Sequence, residues 1–160
     1  MISNHESPPR RGAPLPNMLI STVAKTLWVA PCTLVGALPA LLLCALGGSA
    51  RRMAGVVEVA FDNDHQPVAR ALAALPYSAI TLGHVVLART HACHHVHRAH
   101  ERVHVAQYER WGPLFFVLYG GSSAWQWLRG RRPYMDNHFE RQARIGAGEE
   151  CSPGDKPQHP

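Results

Sequence analysis

The chain has 160 residues, a formal charge of +5 and 46% hydrophobic residues, enough for one modest core with appendages and too little for several domains. Its cations are mostly arginines set beside apolar segments, not a basic stripe interleaved with aromatics, which argues against a nucleic-acid partner. Cys32, Cys44, Cys93 and Cys151 form no C-x-x-C pair, which excludes a zinc ribbon and a disulfide framework.

Residues 1–17 combine Pro, Arg and small polar residues without a hydrophobic period and are expected to form a disordered tail, as are residues 148–160. Leu27 to Gly48 carries no charge over twenty-two residues. At about 1.5 Å per residue that run can cross a hydrocarbon core of roughly 30 Å. Residues 18–50 are therefore expected to be a transmembrane or signal-anchor segment, kinked at Pro31 and Pro39. A cleaved signal peptide is the rival, with the small residues of "GGSA" before Arg51, but the apolar run exceeds the usual secretory core. Flanking charges nearly balance, so they set no orientation.

Residues 55–63 and 78–89 are short and β-branched and are expected to be two strands of a small antiparallel sheet. A helical turn or two ended by Pro76 should lie between them. Residues 112–128 have no charge and carry Trp125 and Trp127 close to Arg129, Arg131 and Arg132. This pattern predicts a second membrane-embedded or interfacial helix, with a buried core helix as the alternative.

Between these segments "HACHHVHRAHERVHVAQYERW" (91–111) places six histidines in its first fourteen positions. Val96, Ala99, Val103 and Ala106 recur at helical spacing, which predicts a helix docked by that stripe. On such a helix His100 and His104 of "HERVH" lie one turn apart on one face and can hold one cation. Glu101 beside them stands where a general base would activate a metal-bound water. An H-E-x-x-H string also arises by chance, so a third protein ligand is what raises it to a site. "DNHFERQAR" (136–144) offers one: Asn137, Glu140 and Ala143 form an N-x-x-E-x-x-A pattern with Glu140 towards the metal and a small residue at a close helix approach. Asp136 or Asn137, one turn before Glu140, is suited to cap that helix or to support the ligands. Glu109 and His138 are the alternative third ligands, and Tyr108, Tyr119, Tyr134 and Arg141 are candidate donors to a transition state.

"HERVHVAQYERWGPLFF" followed by "YMDNHFERQAR" resembles small, membrane-associated bacterial proteins of the gluzincin type, which pair H-E-x-x-H with a downstream glutamate. The likeness runs over residues 78–144 and is densest at 100–113 and 134–143, with His138 standing where a proline is expected. It implies Zn2+ held by His100, His104 and Glu140, with Glu101 as base. The expectation is an α+β, minimal zincin-like domain over residues 51–147, anchored to membrane lipid, with the bacterial inner membrane as its place. The expected activity is zinc-dependent hydrolysis of a peptide or protein substrate. Two other classes compete. One is a non-catalytic zinc-binding scaffold that retains the motif. The other is a di-iron membrane oxidase, suggested by the boxes H-x-x-H-H and H-x-x-x-H; two apolar segments are too few for its several spans. His97 is seven residues, roughly 10 Å, from His104 and so cannot share its ion. His91, His94 and His95 read as a solvated helix start, and His84 as a structural strand residue.

Overall fold

The computed structural model describes residues 15–75 and 77–149, and side chains from residue 22 on. Pro76, the tail before Leu15 and the tail beyond Glu149, with Cys151, lie outside the described residues. The chain is α+β, with five helices and one four-stranded sheet. Helix α1 (Leu15–Ala45) runs unbroken through Pro31 and Pro39. It starts three residues before the composition-based end of the tail, because Pro16 in the first turn lacks only an N–H that has no intrahelical partner. Strands β1 (Ser49–Met53) and β2 (Val56–Phe61) follow. After them come helix α2 (Pro67–Leu72), strands β3 (Ala79–Leu82) and β4 (Val85–Thr90), and helix α3 (His91–Trp111). Helices α4 (Leu114–Leu128) and α5 (His138–Gly146) complete the chain.

The sheet order is β1-β2-β4-β3, and the expectation of an all-antiparallel sheet is corrected: β2 and β4 are parallel neighbours. The single strand expected over 78–89 is a hairpin, since Gly83 takes φ 64° and turns the chain at Gly83-His84. Glycine at the first central position is what a two-residue turn of this hand requires. His84 therefore sits in a turn and not in a strand; its N–H donates to Thr33 Oγ1 at 3.1 Å.

Alternation along the strands sends two sets of side chains to opposite faces. Val59, Val85 and Leu87 meet Ala40 of α1, while Val56 and Val86 meet Val105 of α3. The sheet is thus the middle of three layers, and α1 is one of them. Its buried positions Val29, Cys32 and Ala40, with Gly36 between, form one stripe along the helix. Gly36 is where helix and sheet come closest: a Cβ there would lie 2.8 Å from both Cβ and the carbonyl oxygen of Leu82.

Helix α3 docks differently from the expected stripe. Val96, Ala99 and Ala106 are exposed and Val103 is half-buried against Gly146. The buried face is instead His94, His100, Glu101, His104, Val105, Gln107 and Tyr108. Small apolar side chains lose little in water, and buried polar ones are acceptable when each has a partner. His94 Nε2 meets the Val59 carbonyl at 3.1 Å, and Arg98 grips buried Glu58 through two 2.9 Å bonds.

The close approach at Gly36 makes a prediction. Gly36→Ala should destabilise the chain by about 1–3 kcal/mol, because its new methyl meets backbone that cannot yield. Gly121→Ala, with nothing within 4 Å of its Cβ, should be neutral or stabilising by up to about 1 kcal/mol. Denaturant unfolding of the purified chain in mild detergent compares the two.

Candidate metal centre

Three local features bring the site together. Thr90 caps α3 by accepting the Cys93 N–H at 3.3 Å, which starts the helix so that His100, Glu101 and His104 face inward. Asn137 caps α5 by accepting the Phe139 N–H at 2.9 Å, and its Nδ2 donates to Tyr119 O at 3.0 Å and Ser123 Oγ at 2.7 Å, so one fully buried side chain ties α5 to α4. Ala143, also fully buried, faces inward on the same helix one turn after Glu140.

His100, His104 and Glu140 are all buried and together form a group that could hold a metal ion; no other group of three such ligands occurs among the described residues. His100 Nε2 and His104 Nε2 are 3.1 Å apart, and each stands 3.3 Å from a different oxygen of Glu140. Glu140 Oε2 is buried and accepts no hydrogen bond, despite the nearby imidazole. Lone pairs converging on one point leave such an atom unsatisfied until a cation fills that point.

The protonation pattern supports this. Gln107 Nε2 donates to Phe139 O and to Gln142 Oε1, both at 3.2 Å, which fixes its amide with Oε1 towards His104 Nδ1 at 2.9 Å. Nδ1 must then carry the hydrogen, and His104 Nε2 keeps its lone pair for the centre. Behind the other imidazole, Glu149 Oε1 lies 3.5 Å from His100 Nδ1. Burial disfavours the His100 imidazolium, but the adjacent Glu140 carboxylate and the charges of Glu101 and Glu149 outweigh it and raise its pKa above the ordinary value. Burial pushes Glu140 up, yet the two imidazoles beside it and the Tyr119 hydroxyl hold it well below the usual carboxylate range. Positive charge placed between these groups is what both shifts favour.

Glu101 is buried beside the trio, and Thr81 Oγ1 of edge strand β3 donates to its Oε2 at 2.6 Å. The sheet register delivers that hydroxyl: Thr81 pairs with Val86, whose side chain points to the α3 face. Glu101, His104 and Glu140 line a cavity of about 450 Å³ whose other walls are β3 and the aromatic side chains of α3 and α4. Tyr77 and Tyr134 stand over it with ring centroids 6.3 Å apart.

Not every candidate joins the centre. Glu109 is tied to Lys25 at 3.0 Å and to His84 at 3.4 Å, and exposed His138 pairs with Gln142 at 3.0 Å. Asp136 accepts the Arg132 N–H at 2.9 Å and supports the loop before α5, not the ligands. Tyr119 donates to Glu140 Oε1 at 2.7 Å, Tyr108 is packed on Phe115, and Arg141 is exposed. Gln107, Thr81 and Glu149 went unnoticed in the sequence. Of these, only Gln107 carries a local signal, since it follows His104 by three residues on the same helix.

Comparison of the chain with models of protein families, with curated proteins and with solved structures gives no match.

The purified chain should bind about one divalent ion, and His100→Ala, His104→Ala or Glu140→Ala should abolish binding. Gln107→Ala should weaken affinity about 10- to 100-fold by freeing the His104 ring. Glu109→Gln and His138→Ala should change nothing. Competition against a chromophoric chelator measures all six, and an unaltered affinity in Glu140→Ala would remove it from the ligand set.

Proposed function

We propose that the chain is a membrane-associated, zinc-dependent hydrolase, a peptidase of the gluzincin kind built on a minimal zincin-like domain. The observation that carries this reading is the convergence of His100 Nε2 and His104 Nε2, 3.1 Å apart, on the Glu140 carboxylate, each 3.3 Å from one of its two oxygens, next to a buried Glu101 on a cavity wall. Ligands about 2.0–2.1 Å from a tetrahedral zinc stand about 3.3–3.4 Å apart, and two histidines with one glutamate leave the fourth position open. The donor set therefore fits Zn2+. Zinc, when bound, supplies Lewis acidity that brings the pKa of water to about 7 and polarises a carbonyl.

The chain's own groups supply the rest. Thr81 holds Glu101 Oε2, so the carboxylate faces the cavity in one orientation, ready to take a proton from the attacking water. The water oxygen bonds to the peptide carbonyl carbon, the C–N bond breaks, and Glu101 returns the proton to the leaving nitrogen. Tyr119 is committed to Glu140 and steadies a ligand. Tyr134, over the cavity, is the donor placed for the developing oxyanion: burial, then the charge of Glu140 and a hydrogen bond to it, then the charge of Glu101, raise its hydroxyl pKa, so it stays protonated and able to donate.

Attachment to a membrane is supported by α1, in which Thr22–Ala45 is long and apolar enough to cross one.

Glu101→Gln should retain the metal and lower peptide hydrolysis about 10²- to 10⁴-fold, whereas Tyr134→Phe should lower kcat with KM little changed. A mass-spectrometric peptide-library digest, with metal content measured alongside, reads both. Wild-type protein that holds zinc and cleaves nothing in the library would overturn the peptidase reading in favour of a metal-binding scaffold.

A further inference from the structure

A helix that crosses a bilayer as a bare anchor is surrounded by lipid; α1 is not. Its first half shares a crevice with Arg52, His84, Arg102 and Glu109, opposite its own Thr22, Lys25 and Leu34. Lys25 pairs with Glu109 there, and Arg102 reaches to within 3.9 Å of Glu58. Its second half covers strands β2 and β4, whose neighbour β1 carries exposed Arg51 and Arg52. Standing α1 upright through a membrane would carry this charged crevice and the sheet edges into hydrocarbon. A charge at the bilayer centre is strongly unfavourable, and an open sheet edge finds no hydrogen-bond partner in lipid.

The opposite side of α1 has no such company. Leu27, Leu38 and Leu41 lie along it, with Leu34 at the rim between it and the crevice, each about 70% exposed and with no charge among them. Helix α4 carries a second exposed apolar face. Trp28 lies over Gly112 at the α3–α4 junction, so closely that a Cβ on Gly112 would come within 2.5 Å of the indole. Beyond it Leu114, Val117, Trp125 and Leu128 are exposed, and only Phe115 of α4 is buried. A cation borders the α4 face: the Arg129 guanidinium sits 4.2 Å above the Trp125 ring. A long uncharged ridge edged by Trp and basic residues is the pattern of a helix lying in the interface.

We propose that α1 does not cross the membrane: it lies in the plane of one leaflet with its leucine ridge immersed, α4 beside it, and both chain ends on the same side. The sheet and the metal centre then ride above the lipid surface. The inference rests on the membrane attachment proposed above and not on the identity of the metal.

The test uses the full chain with a different epitope at each end, in sealed inside-out membrane vesicles from an expressing bacterium. Protease added outside should remove both epitopes together or spare both until detergent is added. Loss of one with protection of the other shows a crossing and overturns the inference while leaving attachment intact. Recovery of the chain in the soluble fraction, as a monomer or as a dimer paired through this face, overturns attachment and inference alike, as does a species trimmed to begin at Arg51. As a second measurement, Leu34→Glu with Leu38→Glu, both at exposed positions, should move most of the chain from pellet to supernatant with metal content retained. A double variant that stays with the membrane and keeps its metal overturns the immersed ridge.

Discussion

The buried carboxylate of Glu140 is the constraint from which the rest of the site follows. A charged group only 2% exposed is tolerable when its oxygens are answered by donors or a cation, and very costly otherwise. Every neighbouring element contributes to that answer. α3 brings two imidazoles from one face, α4 brings the Tyr119 hydroxyl, and α5 carries the carboxylate itself. Asn137 locks α5 to α4, and Gln107 locks α3 to the backbone of α5 through Phe139 O. The aromatic cluster of Tyr108, Phe115 and Phe139 fills the space behind.

The same requirement explains why α3 turns polar residues inward. A helix docked by leucines would pack more simply, but it would leave Glu58 and the Val59 carbonyl without partners and Glu140 with Tyr119 alone. Instead Arg98 takes Glu58, whose pKa is held low chiefly by that hydrogen bond, and His94 takes the carbonyl. Glu101 is met by Thr81 from the sheet. Each buried polar group is bound to a specific partner on another element, so the network fixes the angle and depth of α3 more tightly than apolar contacts would. A metal site benefits directly, since ligand atoms must hold position to fractions of an ångström.

Apolar side chains are correspondingly displaced to the outside. α1 is two-sided: Val29 and Cys32 pack on the Tyr108, Phe115 and Phe139 cluster and Ala40 on the sheet, while Leu27, Leu38 and Leu41 face away. Its role in the fold and its affinity for lipid are therefore carried by different residues of one helix. This separation is why its loss should damage the domain as well as its attachment.

Much of the site could be read without coordinates. The spacing of His100, Glu101 and His104 is a local helical property, so periodicity alone proposes the two histidines for one ion, while the pattern around Glu140 sits within a second helix and it is the family resemblance that joins it to them. The uncharged run in α1 and the helix over 91–111 follow equally from local chemistry. What periodicity misread was the buried face of α3, because Val96 and Ala99 look like core until the partners of His94 and Glu101 are known. Parallel pairing of β2 with β4, the Thr81 hydroxyl on Glu101, the amide of Gln107 and the covering of the sheet by α1 were decided only in three dimensions. Each joins residues twenty or more positions apart or depends on such a contact, and nothing in the spacing of neighbours encodes which distant groups will satisfy a buried charge.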